Sequence, residues 1–82
     1  MSIKLILYTT AGCHLCEQAE RLLCELKAES QAQYTSVDIA EDLELFAKYG
    51  ITIPVIKKQS DGAELKWPFD RNALNAFVGD SN

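Results

Sequence analysis

The sequence predicts an α/β fold: one small, mixed four-stranded sheet with three helices. Three observations point to it. Residues 3–8 are nearly continuous apolar sequence, the pattern of a central strand buried on both faces. The stretch after them changes to helical spacing, with Leu15, Ala19, Leu22, Leu23 and Leu26 on one side and Glu17, Glu20, Arg21, Glu25 and Lys27 on the other. A single helix between this strand and the next makes a right-handed parallel unit. Further on, Asp61-Gly62 separates two short apolar runs and marks the turn of an antiparallel hairpin.

In chain order, residues 9–12 form a loop after the first strand. A helix follows from Cys13 and frays around residues 28–30. Residues 34–38 read as the second strand. Asp38 with Glu41 three residues later resembles a capping box that opens a short second helix. Leu43, Phe46, Ala47 and Tyr49 give that helix its apolar face, and Gly50 is expected as a left-handed C-terminal cap. Residues 51–56 read as a third strand interrupted by Pro54, which cannot donate to a ladder and belongs at a strand start or an edge. Residues 63–67 form the fourth strand. Asp70 caps a last helix over residues 71–78, whose apolar face is Ala73, Leu74, Phe77 and Val78. Residues 80–82 form a tail.

Totals narrow the function. The 82 residues make one domain, residues 1–82, and a 48% hydrophobic content is enough for a compact core. The formal net charge of −4 argues against phosphate-backbone binding, so no nucleic-acid partner is expected. No apolar run approaches the roughly 20 residues of a membrane span, and none reads as a secretory signal. The expected compartment is therefore the reducing cytoplasm. There, a close cysteine pair is more often redox-active or metal-binding than a structural staple, and an odd cysteine count of three fits a disulfide framework poorly.

The chemistry concentrates in Cys13-His14-Leu15-Cys16, at the handover from strand to helix. Residues three apart in a first helical turn lie on one side, within reach of a disulfide. The first thiol faces a helix N-terminus, where unpaired N–H groups favour an anion, and the thiolate is the reactive form of cysteine. A free thiol is only about 3% thiolate at pH 7, and lowering its pKa to about 7 takes roughly 2 kcal/mol of anion stabilisation. The helix terminus supplies about 0.3–1 kcal/mol when exposed and up to about 2 when partly buried, so N–H donors from Leu15 and Cys16 are expected to help. Cys13 is the candidate nucleophile and Cys16 the resolving thiol. The plainer reading makes both inert core residues. His14 is a candidate modulator of the thiolate or an exposed filler. Cys24 reads as a packing residue rather than a third redox thiol. One zinc ion could not collect Cys13, His14, Cys16 and Cys24 from one helical segment, so no metal is expected, although a cluster shared between two chains stays open.

The order strand, helix, strand, helix, strand, strand, helix, together with Cys13-His14-Leu15-Cys16, resembles the thioredoxin-like fold in its small glutaredoxin form. Leu7-Tyr8-Thr9 before the cysteines, Val37-Asp38, Lys48-Tyr49-Gly50-Ile51 and Thr52-Ile53-Pro54-Val55 carry the likeness along nearly the whole chain. The Gly-Cys-His-Leu-Cys start is most similar to short bacterial glutaredoxin-like proteins. The resemblance implies a thiol-disulfide oxidoreductase acting on protein or small-molecule disulfides as a monomer. It needs no metal or organic cofactor, and glutathione is one candidate electron donor. It also implies a cis bond between Ile53 and Pro54 that leaves the Ile53 main chain open to an extended substrate, with Thr52 a neighbouring contact. Glutathione-using members carry a lysine before the first cysteine and a glycine pair before the last helix. This chain has Thr9 and Thr10 in the first place and Trp67-Pro68-Phe69-Asp70 in the second. The apolar Trp67-Pro68-Phe69 corner is either core or a platform for a protein partner. Those departures motivate a rival of another class: a thioredoxin-fold binding module or iron-sulfur carrier without turnover.

Overall fold

The computed structural model describes residues 3–29 and 32–79. Strand β1 (Lys4–Thr9) is central. Helix α1 (His14–Glu29) returns the chain to β2 (Gln33–Asp38), which pairs parallel with β1 from Lys4↔Gln33 to Thr9↔Asp38. A 3-10 turn (Ile39–Glu41) and helix α2 (Leu43–Tyr49) follow. Strand β3 (Val55–Lys58) pairs antiparallel with β1, placing Tyr8 opposite Val55, and β4 (Glu64–Lys66) pairs antiparallel with β3. Helix α3 (Arg71–Gly79) closes the fold, and the sheet order is β2-β1-β3-β4. This is the four-strand, three-helix thioredoxin-like arrangement the sequence predicts. The expected tail at residues 80–82 lies outside the described residues, as does the far end of the expected fraying after α1.

Alternation along β1 divides the core. Successive strand side chains point to opposite faces, so Leu5 and Leu7 meet Ala19, Leu23 and Leu26 of α1 and Leu74 and Val78 of α3. On the other face Tyr8 joins Ile39, Tyr49 and Val55. The Tyr8 and Tyr49 rings stack at 4.4 Å, and the Tyr49 hydroxyl donates to Glu64 Oε2. Burial, and then that bond to a carboxylate, raise the Tyr49 phenol above its ordinary pKa. Asp70 caps α3 as expected, its Oδ1 accepting from Ala73 N at 2.8 Å. Arg71 then ties α3 to α1 through Glu25 and Glu29.

The segment around α2 differs from expectation in four ways. Asp38 caps only the 3-10 turn, accepting from Ala40 N, while Asp42 caps α2 by accepting from the N–H groups of Glu44 and Leu45. The buried side of α2 is Tyr49 with half-buried Leu45, whereas Leu43 and Phe46 are 87% and 55% exposed and Ala47 is exposed too. Of the expected face only Tyr49 turns inward, and its packing beside Ile39 and Tyr8 draws in Leu45 in place of Leu43, Phe46 and Ala47. Gly50 is right-handed, with φ −54° and ψ −32°, not a left-handed cap. A glycine is still required there, because a Cβ would lie 2.5 Å from the Phe46 carbonyl oxygen. Finally, residues 51–54 are not strand. The N–H groups of Thr52 and Ile53 both turn back onto the Tyr49 carbonyl, and Ile51 is fully exposed, so β3 begins only at Val55.

Candidate redox site

Local backbone chemistry builds the site. β1 delivers the chain to a turn in which Cys13 N donates to the Thr10 carbonyl at 3.3 Å, with Gly12 at φ +78°. A positive φ at the third residue, and none at Ala11, is the type II pattern that glycine favours. No atom stands within 4 Å of where a Gly12 Cβ would sit, so a side chain there meets only conformational cost. Gly12→Ala is therefore expected to lower stability by about 1–2 kcal/mol through backbone strain alone. In thermal unfolding that is a fall of about 4–8 °C per kcal/mol.

The turn sets Cys13 immediately before α1. The Cys13 carbonyl accepts the first helical bond, from Glu17 N, and its sulfur accepts from Cys16 N at 3.1 Å. This is an N-cap in which sulfur replaces the usual side-chain oxygen. Of the donors expected at this terminus, Cys16 N–H is the one engaged. The two cysteines form a disulfide with their Cα atoms 5.2 Å apart. Their access differs: Cys13 is half-buried, while Cys16 is only 3% exposed behind it.

The other predicted residues fall around this pair in different ways. His14 is exposed, and its Nδ1 lies 3.6 Å from Glu17 Oε2 on the helix surface. Pro54 is buried and its bond to Ile53 is cis. Because Val55 stands opposite Tyr8, the register brings Pro54 to the end of β1 from which the cysteine loop leaves. The Ile53 main chain is not wholly open, however. Its N–H is bonded to the Tyr49 carbonyl at 3.1 Å, which corrects that expectation and leaves the carbonyl as the group available for pairing. The Thr52 hydroxyl likewise donates to the Tyr49 carbonyl, at 3.2 Å. Cys24 is exposed on the α1 surface, and its sulfur shares a 3.4 Å hydrogen bond with the Tyr34 hydroxyl. Burial, and then that contact, raise the Tyr34 phenol above its ordinary pKa.

Two hollows flank the cysteines. A groove of about 520 Å³ runs between α1 and the corner before α3, lined among others by His14, Glu17, Arg21, Trp67, Phe69 and Asp70. The apolar corner thus serves both readings: Phe69 is buried in the core, and Trp67 packs edge-on against it at 4.9 Å while facing the groove. The Trp67–Pro68 bond is also cis, a feature the sequence reading missed. A smaller hollow of about 190 Å³ lies against the disulfide itself, walled by loop 9–13, Cys16, Glu17 and Glu20. Glu20 was not singled out from the sequence, yet it stands one helical turn beyond Cys16, a spacing that could have revealed it.

Comparison with known proteins agrees with this geometry. Residues 4–79 match the family model described as Glutaredoxin-like domain (DUF836). The X-ray structure of protein XcR50 from X. campestris is 37% identical, with a TM-score of 0.83 over 95% of this chain and 99% of that one. Protein Ne2328 from Nitrosomonas europaea is 28% identical, with a TM-score of 0.79 over 92% of this chain and 89% of that one. A thioredoxin from Halobacterium salinarum, 22% identical, shares the fold with a TM-score of 0.76 over 95% of this chain and 73% of its own. No curated protein matches the chain.

Proposed function

The chain belongs to the glutaredoxin-like domain (DUF836) family, and from that premise we propose that it is a thiol-disulfide oxidoreductase cycling through Cys13 and Cys16. The family, the fold and the cysteine pair support a redox-type function. The observation that carries the finer reading is the unequal access of two bonded sulfurs: Cys13 half-buried at the helix N-cap, Cys16 buried behind it.

In the reduced protein the Cys13 thiolate attacks one sulfur of a substrate disulfide. That S–S bond breaks, one half leaves as a thiolate that takes a proton, and a mixed disulfide remains on Cys13. Cys16 then loses its proton and attacks the Cys13 sulfur, expelling the second half as a thiol. Two electrons and two protons pass from the protein to the substrate, and Cys13–Cys16 is left oxidised. The Cys16 N–H already aimed at the Cys13 sulfur supports the anionic form when the bond is open. The Ile53 carbonyl, beside Pro54 and Thr52, is the natural partner for the main chain of a polypeptide substrate. His14, when protonated, adds positive charge near the thiolate, and Glu17 moderates it. The chemistry needs no resident cofactor, only an external thiol reductant such as glutathione or a dithiol protein, and it needs only a monomer.

Equilibration in dithiothreitol redox buffers tests this. The Cys13/Cys16 couple is expected to titrate as one reversible two-electron transition, tenfold in the ratio per about 30 mV. A potential near −270 mV would make the protein a reductant and one near −120 mV an oxidant. A pair that cannot be reduced and reoxidised reversibly overturns the proposal.

A further inference from the structure

The charge on the wall of the small hollow against the disulfide has one sign. The hollow against Cys13 is walled by two carboxylates, Glu17 and Glu20, and by no lysine or arginine. Among the described residues neither carboxylate forms an ion pair with a lysine or arginine. Glu20 accepts from the Ser36 hydroxyl at 3.2 Å, and Glu17 faces His14. In the wider groove Arg21 is outnumbered by Glu17 and Asp70. Arg71 is already held by Glu25 and Glu29. Thr9 and Thr10, on the loop side of the same hollow, bring no charge.

We propose that Glu17 and Glu20 select which disulfides reach Cys13: those carrying positive charge beside their sulfurs, as in a polypeptide disulfide flanked by lysine or arginine, over anionic ones such as glutathione disulfide. This rests on the thiol-disulfide reading above and uses the same balanced exchange. Opposite charges concentrate the substrate at the hollow, and like charges exclude it. The attacking thiolate adds its own negative charge in the same sense. In water, one charge pair about 6–8 Å apart changes a rate by about two- to threefold. Two carboxylates that attract a cation and repel an anion therefore separate the two substrates by about tenfold or more.

Three small dialkyl disulfides isolate charge from shape: cystamine (cationic), bis(2-hydroxyethyl) disulfide (neutral) and 3,3′-dithiodipropionate (anionic). The reduced full chain is mixed with each at neutral pH and oxidation of the Cys13/Cys16 pair is followed. Every rate is divided by that of dithiothreitol with the same disulfide, which removes intrinsic sulfur reactivity. The expected order is cationic, neutral, anionic, with about tenfold between the extremes at low salt. That ratio should collapse in 1 M salt, where screening acts over about 3 Å, and shrink at least about threefold in the exposed double variant E17Q/E20Q. The salt series on the unaltered chain stands even if the double variant does not fold. Equal rates, a reversed order, or a ratio that survives both salt and E17Q/E20Q overturns this inference and leaves the exchange chemistry standing. Failure to react with all three, the neutral one included, overturns the exchange chemistry and this inference with it.

Discussion

Cys16→Ser is expected to halt the exchange midway, leaving the substrate half attached to Cys13. The reasoning is geometric. The Cys13 sulfur is the accessible one and keeps its N–H donor when residue 16 becomes serine, because the donor is main chain. What is lost is the second nucleophile, so the mixed disulfide is released only by outside thiols. In a Cys24→Ser background, which removes the exposed third cysteine, reduced protein treated with excess bis(2-hydroxyethyl) disulfide should show nearly complete single-adduct formation at residue 13 by mass spectrometry. Cys13→Ser in the same background should show little adduct, because Cys16 is only 3% exposed, and its turnover should fall to background. Equal labelling of the two variants, or equal inertness, would exclude the assigned division of labour. Cys24→Ser alone should leave exchange intact, as its sulfur contacts the Tyr34 hydroxyl rather than the pair.

The geometry of the candidate site was legible in the sequence because its determinants are local. Two cysteines three apart at a strand-to-helix junction, with a glycine just before them, specify the turn, the N-cap and the disulfide almost without reference to the rest of the fold. Strand β1 was equally plain, since a sheet centre covered on both faces needs apolar residues at every position. Elements whose form depends on distant packing were harder. Spacing on α2 grouped Tyr49 with Leu43, Phe46 and Ala47, and only contact with Ile39 and the stacked Tyr8 ring sets Leu45 beside Tyr49 in their place. Asp38 and Asp42 are both competent caps, and the choice depends on where the 3-10 turn ends. Residues 51–54 have the composition of a strand, but the N–H groups of Thr52 and Ile53 are drawn to the Tyr49 carbonyl. The carboxylate wall of the small hollow was hidden for a different reason: an acidic residue on an exposed helix face looks like ordinary solvated surface until the hollow beside it is seen.

Leu23→Ala and Leu43→Ala test that division, because sequence spacing treats both leucines as members of an apolar face. Leu23 is 1% exposed and packs in the cluster that joins α1 to Leu5 and Leu7 of β1 and to Leu74 of α3. Truncating its isobutyl side chain to a methyl forfeits the transfer energy of the lost atoms and leaves a cavity that the sheet cannot close, at a cost of about 3 kcal/mol. A domain of this length has a total stability of only about 4–12 kcal/mol. The variant should therefore melt about 12–24 °C lower and carry a substantial unfolded fraction if the parent sits at the low end. Leu43, by contrast, is 87% exposed, and its truncation should stay within about 0.5 kcal/mol. Both melts belong under reducing conditions, so that disulfide reshuffling does not break two-state behaviour. The site shares the fate of Leu23, since the helix it anchors carries the Cys16 N–H and both carboxylates of the hollow. A similar loss in the two variants would mean that α2 turns the Leu43 stripe inward, and the packing of Tyr49 on Tyr8 would have to be abandoned with it.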